Sequence, residues 1–479
     1  MSYTSWGYYA LVVVLLPIYY ALPKKIRWTA LLAGSLLFYA RLLDRRLQFG
    51  VLLFSVAACY AAALLLERLR GGEKVFLRRL VFRTGLLLTM LPLLASKLTS
   101  LAAEAAPRLR LPAWLVPVGL SFYTLQLAAY LIDVNRGRIE AQKNPLKFCL
   151  FATFFPQIIQ GPIPRYERLE RDLFGGSDFD FDRLAAGAQL VLWGFFLKYM
   201  IADKASVAVN TVFNNYRAYP GGYVLAAGVL YSIQLYADFL ACTTMSQGVA
   251  QMFGIRLDDN FRRPYFAASI KEYWQRWHIS LSTWLRDYVY IPLGGNRRGR
   301  ARKFLNLALT FAVSGLWHGD SVKYLVWGLL HALFQITEEL TGQHDPARLR
   351  PGAAAKFLRQ ARTFLLVTLG LTIFRAPSLR AAGEMLSSLV TVFNPWIWFD
   401  DSLLRLGLGG KEFFVLFVSA GVLFAVSLAQ ERGIHIRERI ARQPLVLRWS
   451  VYLAAIWAVW IFGTYGFGFN ANDFIYGGF

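Results

Sequence analysis

Charge is scarce in this chain. Only 17% of its 479 residues are Asp, Glu, Lys or Arg, against about a quarter in an ordinary soluble domain. Cysteine is nearly absent: Cys59, Cys149 and Cys242 are scattered through apolar surroundings. An odd count at such spacing indicates neither a disulfide framework nor a metal knuckle, and reads as small buried hydrophobes. The sequence also lacks a nucleophile elbow, a Walker loop, a zinc-helix motif and a dinucleotide fingerprint, so those chemistries have no footing here. No internal repeat is evident, against a transporter built from two related halves. The apolar stretch 8–22 follows no basic segment and no small-residue cleavage site, so no cleavable signal peptide is expected.

Apolar surface is what the chain has in excess, at 56% of residues. Apolar runs fall near 6–22, 26–40, 47–66, 80–96, 114–134, 146–160, 184–201, 221–240, 303–318, 322–340, 361–375, 411–430 and 448–466. Many approach the ~20 residues that span a bilayer. The composition predicts an all-α polytopic membrane protein. Pro117 and Pro156 break two of the runs, which makes them candidates for re-entrant segments; irregular backbone at membrane depth needs a cover of protein or a water-filled cavity. The segment 379–399 is weakly amphipathic and is expected at the surface.

The 52 basic residues exceed the 29 acidic ones by enough to suggest nucleic acid in a soluble protein. Here they sit mainly in short loops between apolar runs. The positive-inside rule and attraction to anionic lipid headgroups account for them more simply, and nucleic acid is not an expected partner. The first loop (Lys24, Lys25, Arg27) and the third (Arg68, Arg70, Lys74, Arg78, Arg79, Arg83) outweigh the second. They place the N-terminus outside. An even number of crossings then leaves the C-terminal tail, which ends "FIYGGF", outside as well.

A polar interruption from 254 to 303 contains "IKEYWQRWHISLSTWLRDYVYIPLGGNRRGRARK". Read as one helix over 269–290, it puts Arg276, Ser280, Thr283 and Asp287 on one side and Tyr273, Trp277, Trp284 and Tyr288 on another. That pattern suits an interface or a dip into the bilayer.

Histidine occurs five times. His344 and His435 sit among loop charges and read as surface. His318 closes an apolar helix in "LALTFAVSGLWHGDS", where an ionisable residue needs a cavity or a partner. An imidazole with an ordinary pKa of ~6.5 can take a proton from a hydroxyl, or it can simply hydrogen-bond a carbonyl. His331, in "VWGLLHALF", falls roughly 15 Å along the helix axis from His318, too far for a shared metal, and no metal is expected. A structural hydrogen bond is the plainer reading for His331, and an interfacial one remains open for His278. Asp133, Asp238 and Arg165 are charges at the edges of apolar runs, where they could tether helices.

The order and length of several motifs carry more than any one of them. "WHISLSTWLRDYVYIPLGGNRRG" (277–299), "SGLWHG" (314–319) and "WGLLH" (327–331) resemble the membrane-bound O-acyltransferase (MBOAT) superfamily. "SFYTLQLAAYLIDVNRG" (121–137), "FFPQIIQGPIPRY" (154–166) and "GIRLDDNFRRPY" (254–265) fit in the same order. The branch is that of bacterial alginate O-acetylation proteins, peptidoglycan O-acetyltransferases and teichoic-acid D-alanyl transferases. The resemblance implies a ring of about 11–13 transmembrane helices around a central tunnel, one membrane domain over 1–479. Its parts would be N-terminal helices (1–110), a core (111–340) with the cytoplasmic amphipathic segment 254–303, C-terminal helices (341–466) and an extracytoplasmic tail (467–479).

The resemblance also implies roles. His318 would be the central catalytic residue, with Trp317 beside it. His278 and Trp277 would line the cytoplasmic side of the tunnel, with Arg165 and His331 as further tunnel or donor-side residues. The donor would be an acyl thioester, acetyl-CoA or a phosphopantetheine arm on a carrier protein, with no tightly bound cofactor. "FIYGGF" resembles a terminal motif in which a tyrosine, here Tyr476, carries the acyl group to an extracytoplasmic acyltransferase- or esterase-like partner and a cell-surface polysaccharide. Departures such as "DFLACTT" (238–244), Asp320 and Ala332 bear on acceptor and partner. Two alternatives stay open: D-alanyl transfer to teichoic acid, and a non-enzymatic channel or scaffold in a glycan export complex.

Overall fold

A computed structural model of the chain describes residues 2–43, 45–103, 106, 112, 115–343 and 352–465. Among the described residues there is no strand. Contacts divide the chain into two units, Met1–Val191 with Cys242–Asp258, and Leu192–Ala241 with Asp259–Phe469.

The first unit holds α1 (Trp6–Ala21), α2 (Arg27–Leu42), α3 (Arg46–Arg68), α4 (Val75–Ala103), α5 (Leu120–Asn135), α6 (Pro145–Thr153) and α7 (Tyr166–Gly175). Local chemistry sets several of these starts. The Ser5 hydroxyl accepts from the Tyr8 N–H to open α1. Asn144 caps α6 by accepting from the N–H groups of Leu146 and Lys147, and Pro145 follows at the first helical position, where its missing N–H costs nothing. The expected break at Pro156 is present: α6 stops at Thr153, and the chain from 154 to 164 is irregular and almost wholly buried. Its backbone is satisfied from elsewhere. The Ser35 hydroxyl accepts from the Phe155 N–H (3.2 Å), and the Tyr3 hydroxyl from the Ile159 N–H (3.3 Å). This is the protein cover that irregular backbone requires away from water.

The next helix, α8 (Phe181–Phe195), continues through a π-helical turn at Phe196–Ala202 into α9 (Asp203–Asn214) and carries the chain into the second unit. There follow α10 (Gly222–Met252), α11 (Ile270–Arg276), α12 (Ile279–Leu285), α13 (Gly299–His318), α14 (Val322–Leu340), α15 (Ala353–Arg375), α16 (Leu379–Thr391), α17 (Gly410–Glu431), α18 (Ile436–Ala441) and α19 (Leu445–Phe462). Seven of the described helical stretches are long and apolar enough to cross a membrane: α3, α4, the continuous 181–214 stretch, α10, α15, α17 and α19. The protein is a multi-pass membrane protein.

The structure corrects the reading of 269–290 as one helix. The segment breaks at Trp277–His278 between α11 and α12 and then passes into a π-helical turn at Arg286–Tyr290. The aromatic face is also not an interface. Tyr273, Trp277 and Trp284 are buried in protein, with Tyr273 and Trp277 stacked at 5.5 Å. A helical wheel cannot distinguish lipid from a neighbouring aromatic cluster, because both attract the same side chains. The segment 379–399 is at the surface as expected, with Val390, Phe393 and Phe399 strongly exposed.

The two ends of the second unit carry different polar contacts. At one end, ion pairs lace the helix termini together: Lys303–Glu339, Arg362–Glu338, and Arg263 and Arg276 on Glu431. At the other, α13 ends and α14 begins, Arg375 donates to Asn210, and Arg217 pairs with Glu384. Between the ends, Asp238 is the tether the sequence suggested. The Lys198 ammonium, on the π-helical turn, lies 2.8 Å from Asp238 and 2.9 Å from Asp203, and all three are buried. Asp133, in the first unit, faces Arg138 at 3.5 Å.

The triad generates a stability prediction. Lys198→Met would leave two buried carboxylates without their cation, a loss that typically costs about 3–5 kcal/mol. Thermal unfolding of the purified variant in detergent should show a large drop. A variant as stable as the parent would mean that the ammonium is not what neutralises Asp203 and Asp238.

Candidate functional site

Three histidines gather in the second unit. His318 is the last residue of α13, and its side chain is 1% exposed. Its Nδ1 lies 2.7 Å from the Ser314 carbonyl oxygen. A carbonyl can only accept, so Nδ1 carries the hydrogen. In the neutral ring this leaves the lone pair on Nε2. The imidazole is boxed by aromatic rings, Trp317 and Trp327 at 4.9 Å and Phe374 at 5.8 Å between centroids. The turn of backbone that orients the ring is its own helix, so the tautomer is set locally.

His278 stands 6.5 Å from His318, ring to ring, and 5.9 Å from Trp317. It is fully buried. Its backbone is left-handed, with φ 44° and ψ 54°. A bulky L-residue adopts that region at a cost of about 1–3 kcal/mol, usually where a site demands it. Asn260 holds it there. The Asn260 Oδ1 accepts from the Ser280 N–H (3.1 Å) and hydroxyl (2.9 Å) and lies 3.2 Å from His278 Nδ1. The Asn260 carbonyl accepts from the Ile279 N–H at 2.9 Å. Burial, and after it the neighbouring His318, push the His278 imidazole well below the usual histidine range.

His331 is one ring further away. Trp327 lies between the two, 4.9 Å from His318 and 5.1 Å from His331. The Trp274 indole N–H donates to His331 Nδ1 at 3.3 Å. That bond is the structural role the sequence favoured for this residue. Among the described residues, no group of three or more His, Cys, Asp and Glu could hold a metal ion.

The contact that sets this geometry is between α13 and α14. A Cβ on Gly315 would fall 2.2 Å from the Tyr324 carbonyl oxygen, and one on Gly328 2.2 Å from that of Phe311. Only glycine lets the two backbones approach so closely. His318 and Trp327 are carried on these two facing helices.

Of the residues singled out from sequence, Trp277, His278, Trp317 and His318 lie in this cluster or one chain position from it, and His331 adjoins it through Trp327. Arg165 belongs to the first unit, where it precedes α7. His435 is exposed, as read. Tyr476 and His344 lie outside the described residues. Sequence reasoning missed three residues. Asn260 and Trp327 sit inside stretches already recognised, "GIRLDDNFRRPY" and "WGLLH", but neither can titrate at neutral pH. Lys198 was hidden in an apolar run.

A membrane protein that is helical over its described residues, with a tautomer-fixed histidine in a buried aromatic box, defines a class in which proton transfer at depth is possible. Comparison with known proteins makes the class specific: residues 138–344 match the model of the membrane-bound O-acyltransferase (MBOAT) family. It is 39% identical over 310 residues to the probable alginate O-acetylase AlgI of Pseudomonas fluorescens, covering 64% of this chain and 60% of that protein. It is 32% identical to a peptidoglycan O-acetyltransferase of Helicobacter pylori (58% of this chain, 57% of that one). It is 29% identical to the teichoic acid D-alanyltransferase of Bacillus subtilis (53% and 66%). The matched part spans about three fifths of the length of the AlgI and peptidoglycan relatives.

The depressed basicity of His278 gives a pH prediction. Below ~6.5 an exposed histidine in the unfolded chain takes up a proton that the buried ring refuses, so the unfolded state binds more protons and stability falls with falling pH. Its contribution is absent well above that pH. His278→Asn, a residue that tolerates left-handed backbone, should fold at neutral pH and lose stability less steeply between pH 7 and 5. Equal slopes in the two proteins would show that His278 is not held neutral.

Proposed function

We propose that this protein is an O-acyltransferase that moves a short acyl group, acetyl, from a cytoplasmic thioester to the hydroxyls of an extracytoplasmic polysaccharide. The observation that carries the reading is the state of His318. Its Nδ1–H is committed to the Ser314 carbonyl, which leaves Nε2 as the proton acceptor, and it lies within the MBOAT-matched stretch.

The chemistry follows from that ring. A hydroxyl oxygen attacks the thioester carbonyl while its proton passes to His318 Nε2. The Ser314 carbonyl, already bonded to Nδ1–H, stabilises the imidazolium that forms, in the way an acceptor behind a catalytic imidazole does elsewhere. The C–S bond then breaks, the new C–O ester remains, and the departing sulfur takes the proton from Nε2. His278, neutral and close by, keeps a second positive charge away from the imidazolium. The buried aromatic rings exclude water, which would otherwise hydrolyse the thioester.

Sidedness supports the same reading. The laced end of the second unit is dense in arginine, with Arg262, Arg263, Arg297, Arg298, Arg300 and Arg302 near it. By the positive-inside rule this end faces the cytoplasm, where it suits a phosphorylated donor, coenzyme A or a phosphopantetheine carrier. His318 then lies toward the outer end. Phe462, the last residue of α19, lines the same groove as Gly410 and Lys411 at the start of α17, so the chain leaves its final helix toward that outer end. Both termini would be extracytoplasmic. Tyr476 would accept the acyl group as a transient phenyl ester and pass it, with an extracytoplasmic transferase partner, to the polymer. A phenol ionises near ~10, which makes it both an easier nucleophile than an alcohol and a better leaving group.

Two variants test this. His318→Ala should reduce polysaccharide acetylation by about 10²–10⁴-fold with unchanged protein in the membrane; acetylation that survives it removes the base. Tyr476→Phe should be nearly as severe, and full activity in that variant would remove the phenol from the path. Both are read by acetyl content of the exported polymer.

A further inference from the structure

Resting on the acyl-transfer reading, we propose that the indole N–H of Trp327 is the donor that holds the acyl carbonyl oxygen as it becomes an oxyanion. Trp327 is 3% exposed, and its Nε1 has no hydrogen-bond partner among the described residues. Buried polar groups are nearly always paired, and an orphan at a functional site calls for a ligand. The neighbouring indole shows the contrast: Trp274, in the same cluster, spends its N–H on His331. Trp327 packs edge-on against Trp274, His331 and Phe374 as well as His318. Its N–H is therefore held in place by four rings yet committed to none of the described acceptors.

The reaction needs such a group. When the hydroxyl oxygen attacks, the carbonyl π electrons move onto oxygen, and that charge must be met by a fixed donor at the moment of reaction. The indole nitrogen is donor-only, so it cannot compete with His318 for the hydroxyl proton. It sits on the ring nearest to the imidazole from the opposite helix, and the Gly315 and Gly328 contacts fix the spacing of the two helices. The oxyanion collapses by expelling the thiolate, and the indole keeps its hydrogen throughout.

The test uses the full-length protein in lipid nanodiscs and S-acetyl-phosphopantetheine, the portion shared by both candidate donors. Trp327→Phe keeps an aromatic ring and removes the N–H. Thiol release should slow by about 10²-fold in kcat, the usual effect of losing one oxyanion donor. KM should change by no more than about twofold and the pH profile should keep its shape. Binding of the thioether S-ethyl-phosphopantetheine, which has no carbonyl, should be unaffected. Benzothienylalanine at position 327, which places sulfur where the N–H was at nearly the same shape, should reproduce the loss. A Trp327→Phe protein within about threefold of the parent in kcat overturns the donor while leaving the acyl-transfer reading intact. Loss of thioether binding overturns it in favour of a packing role. A parent protein that releases no thiol beyond the His318→Ala level overturns the acyl-transfer reading itself.

Discussion

The close approach of α13 to α14 is the constraint on which the site depends. Gly315 and Gly328 each sit against a carbonyl oxygen of the other helix, with no room for a methyl group. That contact brings the last turn of α13, with His318, against the ring of Trp327 on α14. The close approach rests on small residues at the contact, in keeping with the way membrane helices associate. Ion pairs lace one set of helix ends, and the buried Lys198 ammonium is met by Asp203 and Asp238. The His318 imidazole is buried against the rings of Trp317, Trp327 and Phe374.

Much of this architecture was legible in the sequence. Low charge, long apolar runs and scattered cysteines gave the class, and the break at Pro156 was visible because proline interrupts helical hydrogen bonding. The order of motifs located His278 and His318. The failures share a cause. The segment 269–290 shows helical periodicity, yet His278 turns left-handed where Asn260, 18 residues upstream, accepts from the Ser280 donors. That is a tertiary hydrogen bond, and no local pattern reports it. Lys198 was hidden in an apolar run because its two partners lie further along the chain, at positions 203 and 238. Trp327 was passed over because tryptophan usually means packing, and only the structure reveals that its N–H finds no acceptor among the described residues.

The site also separates roles that sequence spacing had blurred. His318 and His331 occur in adjacent helices and both are buried, but His331 accepts a hydrogen bond from Trp274 while His318 donates one to its own helix. The first is fixed as an acceptor, and its Nδ1 lone pair is already in use. The second has its basic nitrogen on the far side of the ring from its anchor. That difference is why the proposed mechanism gives the proton-accepting role to His318 and not to His331. His278, held in left-handed backbone, packs its ring 6.5 Å from that of His318.

The central claim is that an acyl group is transferred at His318 to a hydroxyl of this chain before it reaches a polymer. Mass spectrometry of the C-terminal peptide, after incubation of membranes with an isotopically labelled acetyl thioester, tests it most directly. The account predicts the labelled acetyl ester on Tyr476 in the parent protein and its absence in His318→Ala. Labelled polymer from a parent protein whose Tyr476 never carries the label would contradict it.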